Sequence, residues 1–122
     1  MDRRTVPGGV EVYEINGPFF FGAAQSFKDA VSQVAGHPKV LILRIRNVPA
    51  MDSSGVHALL DVIGRARKEG TIVVLSGVHE QPLAVLTDSS AMAEIGNENV
   101  TAGIDLALAR ARAIVSGELL PV

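Results

Sequence analysis

The 122-residue chain is long enough for one domain with its own core, and its 48% hydrophobic and 20% charged residues are those of a folded protein. It has no cysteine, which excludes disulfides and thiolate metal sites, and a formal net charge of −2 gives no electrostatic pull toward nucleic acid or anionic lipid. Aromatics make up 4% with no Trp, so the core must come from Val, Ile, Leu and Ala, as where helices cover a sheet. No apolar stretch approaches the roughly 20 residues that span a bilayer. Asp2, Arg3, Arg4 and Pro7-Gly8-Gly9 interrupt any signal-peptide segment, so the sequence reads as a soluble polypeptide.

In chain order, Asp2–Val6, Pro7-Gly8-Gly9 and Val10–Ile15 read as a hairpin, with the glycine pair supplying the tight turn. Val10 and Val12 share one face of its second arm; Glu11, Tyr13 and Ile15 share the other. Asn16-Gly17-Pro18 ends it, and Phe19-Phe20-Phe21 follows, of which two are expected in the core with Phe27. Ala23, Phe27, Ala30, Val31 and Val34 recur at helical spacing until Gly36 and Pro38. Val40–Leu43 is a continuous apolar run, the pattern of a strand covered on both faces.

After Asp52 a second helix carries Val56, Leu59, Leu60, Ile63 and Ala66 as its stripe and stops at Glu69-Gly70. Thr71–Leu75 is another buried strand. Gln81–Thr87 reads as a short helix with Leu83 and Leu86 inward, and Ile95–Val100 as a weak edge strand. Thr101 is expected to cap a last helix with Ile104, Ala107, Leu108, Ala111 and Ile114 inward, which Gly117 ends ahead of a loose Leu119–Val122 tail. Strands alternating with helices after a hairpin imply a single α/β domain over 1–122, its mixed sheet parallel beyond the hairpin.

Loops leaving the carboxyl ends of such strands are where ligands and partners usually bind. The best formed is Arg46–Gly55. Pro49 disfavours helix at Val48, so the helix cannot start early, and Asp52 is a natural N-cap. Ser53 and Ser54 then place hydroxyls on the first turn, and Gly55 lets another backbone come close. A phosphoryl group on Ser53 would bring about −1.5 to −2 charges to a helix end that tolerates them. The plainer reading is that Asp-Ser-Ser is a good helix start and nothing more.

Val40 to Leu60, with Asn47-Val48-Pro49-Ala50-Met51-Asp52-Ser53-Ser54-Gly55-Val56-His57 at its centre, strongly resembles the STAS domain, shared by sulfate transporters and anti-sigma factor antagonists. The resemblance runs over roughly Val10–Ile114 and implies a STAS-like mixed sheet of about four to five strands with an N-terminal hairpin, covered by about four to five helices. Gly17-Pro18-Phe19-Phe20-Phe21-Gly22-Ala23 resembles the Gly-Pro-Leu-Phe-Phe-Gly-Ala motif of the C-terminal cytoplasmic domain of SulP-type anion permeases, with Phe19 departing from the usual Leu. Asp52-Ser53-Ser54-Gly55 equally matches the antagonist motif, in which Ser53 would be the residue phosphorylated. The Phe run favours the transporter branch: a non-catalytic regulatory domain at the cytoplasmic face of the membrane, partnered by its own transmembrane domain and by regulatory proteins. The stand-alone antagonist switched at Ser53 is the alternative.

The resemblance implies an interaction loop at Val48, Pro49, Met51 and His57, and an anion or phosphoacceptor position at Asp52, Ser53, Ser54 and Gly55. It implies weak nucleotide binding for some members; the Asp52 helix N-terminus is where such a ligand would sit. No resident cofactor is expected. His37, His57 and His79 lie on three different elements without metal-helix spacing, so no metal is expected. Ser54 and His57 share a helix face, but no third group is evident to orient the imidazole, which argues against hydrolase chemistry.

Overall fold

Four strands, β1 (Val10–Asn16), β2 (Val40–Asn47), β3 (Ile72–Ser76) and β4 (Val100–Thr101), lie side by side in chain order, and every pair is parallel. The computed structural model describes residues 6–32 and 38–117. The first arm of the expected hairpin, apart from Val6, lies outside the described residues, as do Val34, Gly36, His37 and the Leu119–Val122 tail. Gly9, at φ +83°, turns the chain into β1, and its carbonyl accepts from Lys39 N at 2.8 Å, which aligns Val10 with Val40.

The helices are α1 (Phe21–Ser32), α2 (Ser53–Lys68), α3 (Glu80–Asp88), α4 (Ala91–Ile95) and α5 (Ile104–Ser116). Alternation along the central strands sends Leu41, Leu43, Ile45, Val73 and Leu75 to one face, where they meet Ala24 and Phe27 of α1, Val56, Leu59 and Ile63 of α2, and Leu86 and Ile95 beyond β3. Val40, Ile42 and Val74 point the other way, onto Ala107, Leu108 and Ala111 of α5. β1 divides as its sequence indicates, with Val10 and Val12 on the α5 side and Tyr13 and Ile15 on the other. Alanines at 107 and 111 are small enough to bring α5 down onto the β-branched sheet face.

β2 outruns the apolar segment by four residues, and there the burial alternates: Ile45 is buried, Arg44 half-buried, Arg46 exposed. In α2 the stripe is Val56, Leu59, Val62 and Ile63, with Leu60 only half-buried. In α3 Pro82 and Leu86, four residues apart, face inward, and this spacing rotates Leu83 to the surface at 38% exposure. The expected strand over Ile95–Val100 is instead α4, a 3₁₀ turn at Asn97–Asn99 and the two-residue β4. Gly96, at φ +89°, ends α4, and the buried Asn99 amide donates to Ile95 O, which holds the turn wound. Thr101 is not the cap of α5. Its hydroxyl donates to Leu75 O at 2.8 Å inside the sheet, and Gly103 takes the N-cap position without a side-chain bond.

The aromatic run also divides differently from expectation. Phe19 is 1% exposed and meets Phe27 edge-on at 5.4 Å between centroids, whereas Phe20 and Phe21 are 45% and 69% exposed. One of the three is core, not two, because the turn of α1 begins at Phe21 and carries the next inward position to Ala24. Phe19→Ala should therefore lower unfolding free energy by about 3–5 kcal/mol in urea melts, and Phe21→Ala by no more than about 0.5 kcal/mol. Equal losses would contradict this division.

Candidate functional site

The junction after β2 is built from beneath. Val48 N donates to Ile45 O at 3.0 Å, turning the chain out of the strand, and Val48 is fully buried while Pro49 stands exposed. Phe19 N donates to Ala50 O at 2.9 Å, and Phe19 and Met51 form an isolated parallel bridge. From α3, Gln81 closes a two-bond clamp on the Met51 backbone: Oε1 accepts from Met51 N at 2.9 Å and Nε2 donates to Met51 O at 3.2 Å. The next residue, Asp52, is extended at φ −108°, ψ −175°, and its Oδ1 accepts from Gly55 N at 2.9 Å. That is the N-cap read from the sequence, satisfying one of the first-turn amides that have no intrahelical acceptor.

Gly55 is where the two signature segments touch. A Cβ there would lie 2.3 Å from the Phe19 carbonyl oxygen and 2.8 Å from its ring. No side chain fits in that gap. Gly17, at φ +86°, donates its N–H to Asn47 O at 2.9 Å, so the Gly-Pro turn is itself tied to the end of β2. Gly22 has open space where a Cβ would stand, so nothing steric demands glycine at that position.

Asp52 and Ser53 are exposed and Ser54 half-buried, so the Ser53 hydroxyl is open to solvent at the positive end of a sixteen-residue helix. Of the expected interaction loop, Pro49 and His57 are at the surface, while Val48 and Met51 are buried and hold the loop from below. Beside the cap, Phe21, Lys28, Ser54, His57 and Asp61 line an open groove of about 200 Å³ between α1 and α2. Lys28 Nζ lies 2.9 Å from Asp61 Oδ2 across it. The Lys28 bond and charge hold the Asp61 carboxyl below its ordinary 3.8, with Arg65 and His57 adding to the effect and partial desolvation opposing it.

Ser54, His57 and Asp61 thus share a groove, but no hydrogen bond joins the three among the described residues, and Lys28 occupies the carboxylate that could have oriented the imidazole. The groove holds no assembled nucleophile. Among the described residues no three His, Cys, Asp or Glu side chains gather as metal ligands would, and no helix is long and apolar enough to cross a membrane. Sequence reasoning missed Gln81, whose partners are backbone atoms thirty residues away and leave no local pattern. It also missed His79, whose Nε2 meets the Arg46 carbonyl and fastens the start of α3 to the end of β2.

The STAS domain family model matches residues 3–113. The putative sulfate transporter YvdB of Bacillus subtilis (strain 168) is 30% identical over 91 residues, which are 74% of this chain; the match spans only 17% of that protein's length. A sulfate transporter family protein from Wolinella succinogenes superposes with a TM-score of 0.85 at 45% identity over 91% of both chains. The SulP transporter STAS domain from Vibrio cholerae gives 0.78 at 31% identity, covering 92% of this chain and 88% of that one.

Gly55→Ala should cost about 1–3 kcal/mol, since a backbone carbonyl cannot yield as a side chain tip can. Gly64→Ala, on the same helix with nothing within 4 Å, should stabilise by about 0.5–1 kcal/mol. Urea unfolding of the two variants reads the contrast directly. The lowered Asp61 pKa makes the Lys28 pair stabilising above the ordinary carboxylate range, and this stabilisation is lost as pH falls through the folded-state value. Lys28→Met should shift the Asp61 carboxyl titration, followed by ¹³C NMR, upward toward 3.8; an unmoved midpoint would show that Lys28 does not set it.

Proposed function

The chain belongs to the STAS domain family, and we propose that it is the non-catalytic regulatory domain of a SulP-type transporter of sulfate or a related anion, placed on the cytoplasmic side and acting through the Asp52–Ser53 loop. The observation that carries this reading is the likeness, over nearly the whole chain, to a sulfate transporter family protein and to a SulP STAS domain. The surface supports it. Exposed Phe21 lines one groove with Ser54, the neighbour of the exposed Ser53 at a capped helix start, so an apolar contact area adjoins a place where charge can be added. A partner seated on this area, whether the transporter's own membrane part or a regulatory protein, would meet a phosphoryl group on Ser53 as a desolvated dianion.

The test is anion uptake into vesicles by the full-length gene product with its membrane portion, wild type against Ser53→Glu. A negative charge at the first helical position suits the dipole, so the chain should unfold within about 0.5 kcal/mol of wild type while uptake changes. Unchanged uptake would reduce Ser53 to a helix-start residue, and a full-length product that moves no anion would overturn the transporter reading. Phosphate found on Ser53 after incubation with an anti-sigma kinase, in a protein with no membrane portion, would favour the antagonist instead.

A further inference from the structure

At the opposite end of the sheet from the Asp52 loop, β4 pairs only with Leu75 and Ser76 and leaves the beginning of β3 uncovered. A recess of about 180 Å³ opens there. Ile63 and Val73 form its apolar side, and its polar lining is Arg67 from α2, Arg110 from α5, Thr71 and Asn99. Both arginines are held by neutral oxygens: Arg67 donates to the Glu94 carbonyl, and Arg110 Nε donates at 3.0 Å to Oδ1 of Asn99. Asn99 is itself 7% exposed and anchored through its Nδ2 to Ile95 O at 2.9 Å, so the Arg110 guanidinium is set by a buried, fixed amide. The ion pairs Lys28–Asp61 and Arg46–Glu14 engage neither guanidinium. Glu98 lines the rim, but its carboxylate lies back over Gly96.

Two guanidiniums oriented by neutral oxygens, with Glu98 the one carboxylate in the lining, offer N–H donors to a planar or tetrahedral oxyanion, which accepts several such bonds at once. The volume admits a tetrahedral anion together with several waters. We propose that Arg67 and Arg110 bind a small tetrahedral oxyanion, sulfate or inorganic phosphate, in this recess. The inference rests on these residues alone and is independent of the transporter reading. Thr71 and the Asn99 amide complete the polar wall, and Glu98 discriminates against tighter binding by its own charge.

The test is a titration of the ¹⁵N-labelled 122-residue chain with sodium sulfate and, separately, with sodium phosphate, against sodium chloride at matched ionic strength, observing backbone amides and arginine Nε–H groups. The expected result is saturable shifts at Thr71, Asn99, Arg67 and Arg110 beyond those of chloride, with sulfate and phosphate ranked by the two arms. Arg67→Gln leaves the Asn99 anchor intact and should weaken binding about tenfold or more without changing the melting temperature, and Glu98→Gln should tighten it. Shifts equal to those of chloride, shifts centred on the Ser53–Gly55 amides, or affinity undiminished in Arg67→Gln would each overturn the proposal.

Discussion

The contact on which the candidate site depends is the seating of the Phe19 carbonyl against Gly55, where a Cβ would stand 2.3 Å from the oxygen. It joins two segments separated by more than thirty residues into one surface. With Phe19 seated, its ring reaches Phe27 in the core, its N–H reaches Ala50, and the chain leaving it must enter α1 with Phe20 and Phe21 turned outward. On the other side the same contact fixes the first turn of α2, so that Asp52 can cap it and Ser53 is left at the surface. The Gln81 clamp on Met51 then ties both segments to α3. Three helices therefore converge on one short stretch of backbone.

That convergence separates what the loop presents from what holds it. Val48, Met51 and Gly55 are interior, and their roles are geometric. Pro49, Asp52, Ser53 and His57 face outward over a rigid base. On the proposed function this is a sound arrangement for a regulatory contact, because a charge added at Ser53 alters the surface without requiring the support to move.

Strands and long helices were legible because their signals are local. Val40–Leu43 and Thr71–Leu75 are short, mostly apolar runs of the kind a covered strand carries, and Asp52 announces its cap within four residues. Errors fell where long-range partners decide. Thr101 has the chemistry of a cap, but a strand carbonyl at Leu75 takes its hydroxyl. The segment before β4 looks extended, but a buried Asn99 winds it, and Leu83 is turned out by the Pro82–Leu86 pair. Of the site, the sequence marked the cap, the serines and the need for glycine at 55. It could not show that Phe19 was the backbone for which that glycine makes room, nor that Gln81 and His79 brace the loop. The arginine recess was equally hidden, since Arg67 and Arg110 belong to different helices and read singly as solvated charges.

The order of strands β1 to β4 has one more consequence. Each right-handed crossover steps in the same direction, so α1, α2 and the α3–α4 pair all lie on one face, and α5 alone lies on the other. Nowhere between β1 and β4 does the winding reverse. Open α/β sheets form their ligand crevice at such a reversal, where neighbouring loops part toward opposite faces. Here the loops after β1, β2 and β3 all turn to the same face, and only the chain leaving β4 crosses to α5 on the other. On the proposed function, a partner surface laid across this edge meets those three loops on one side of the sheet.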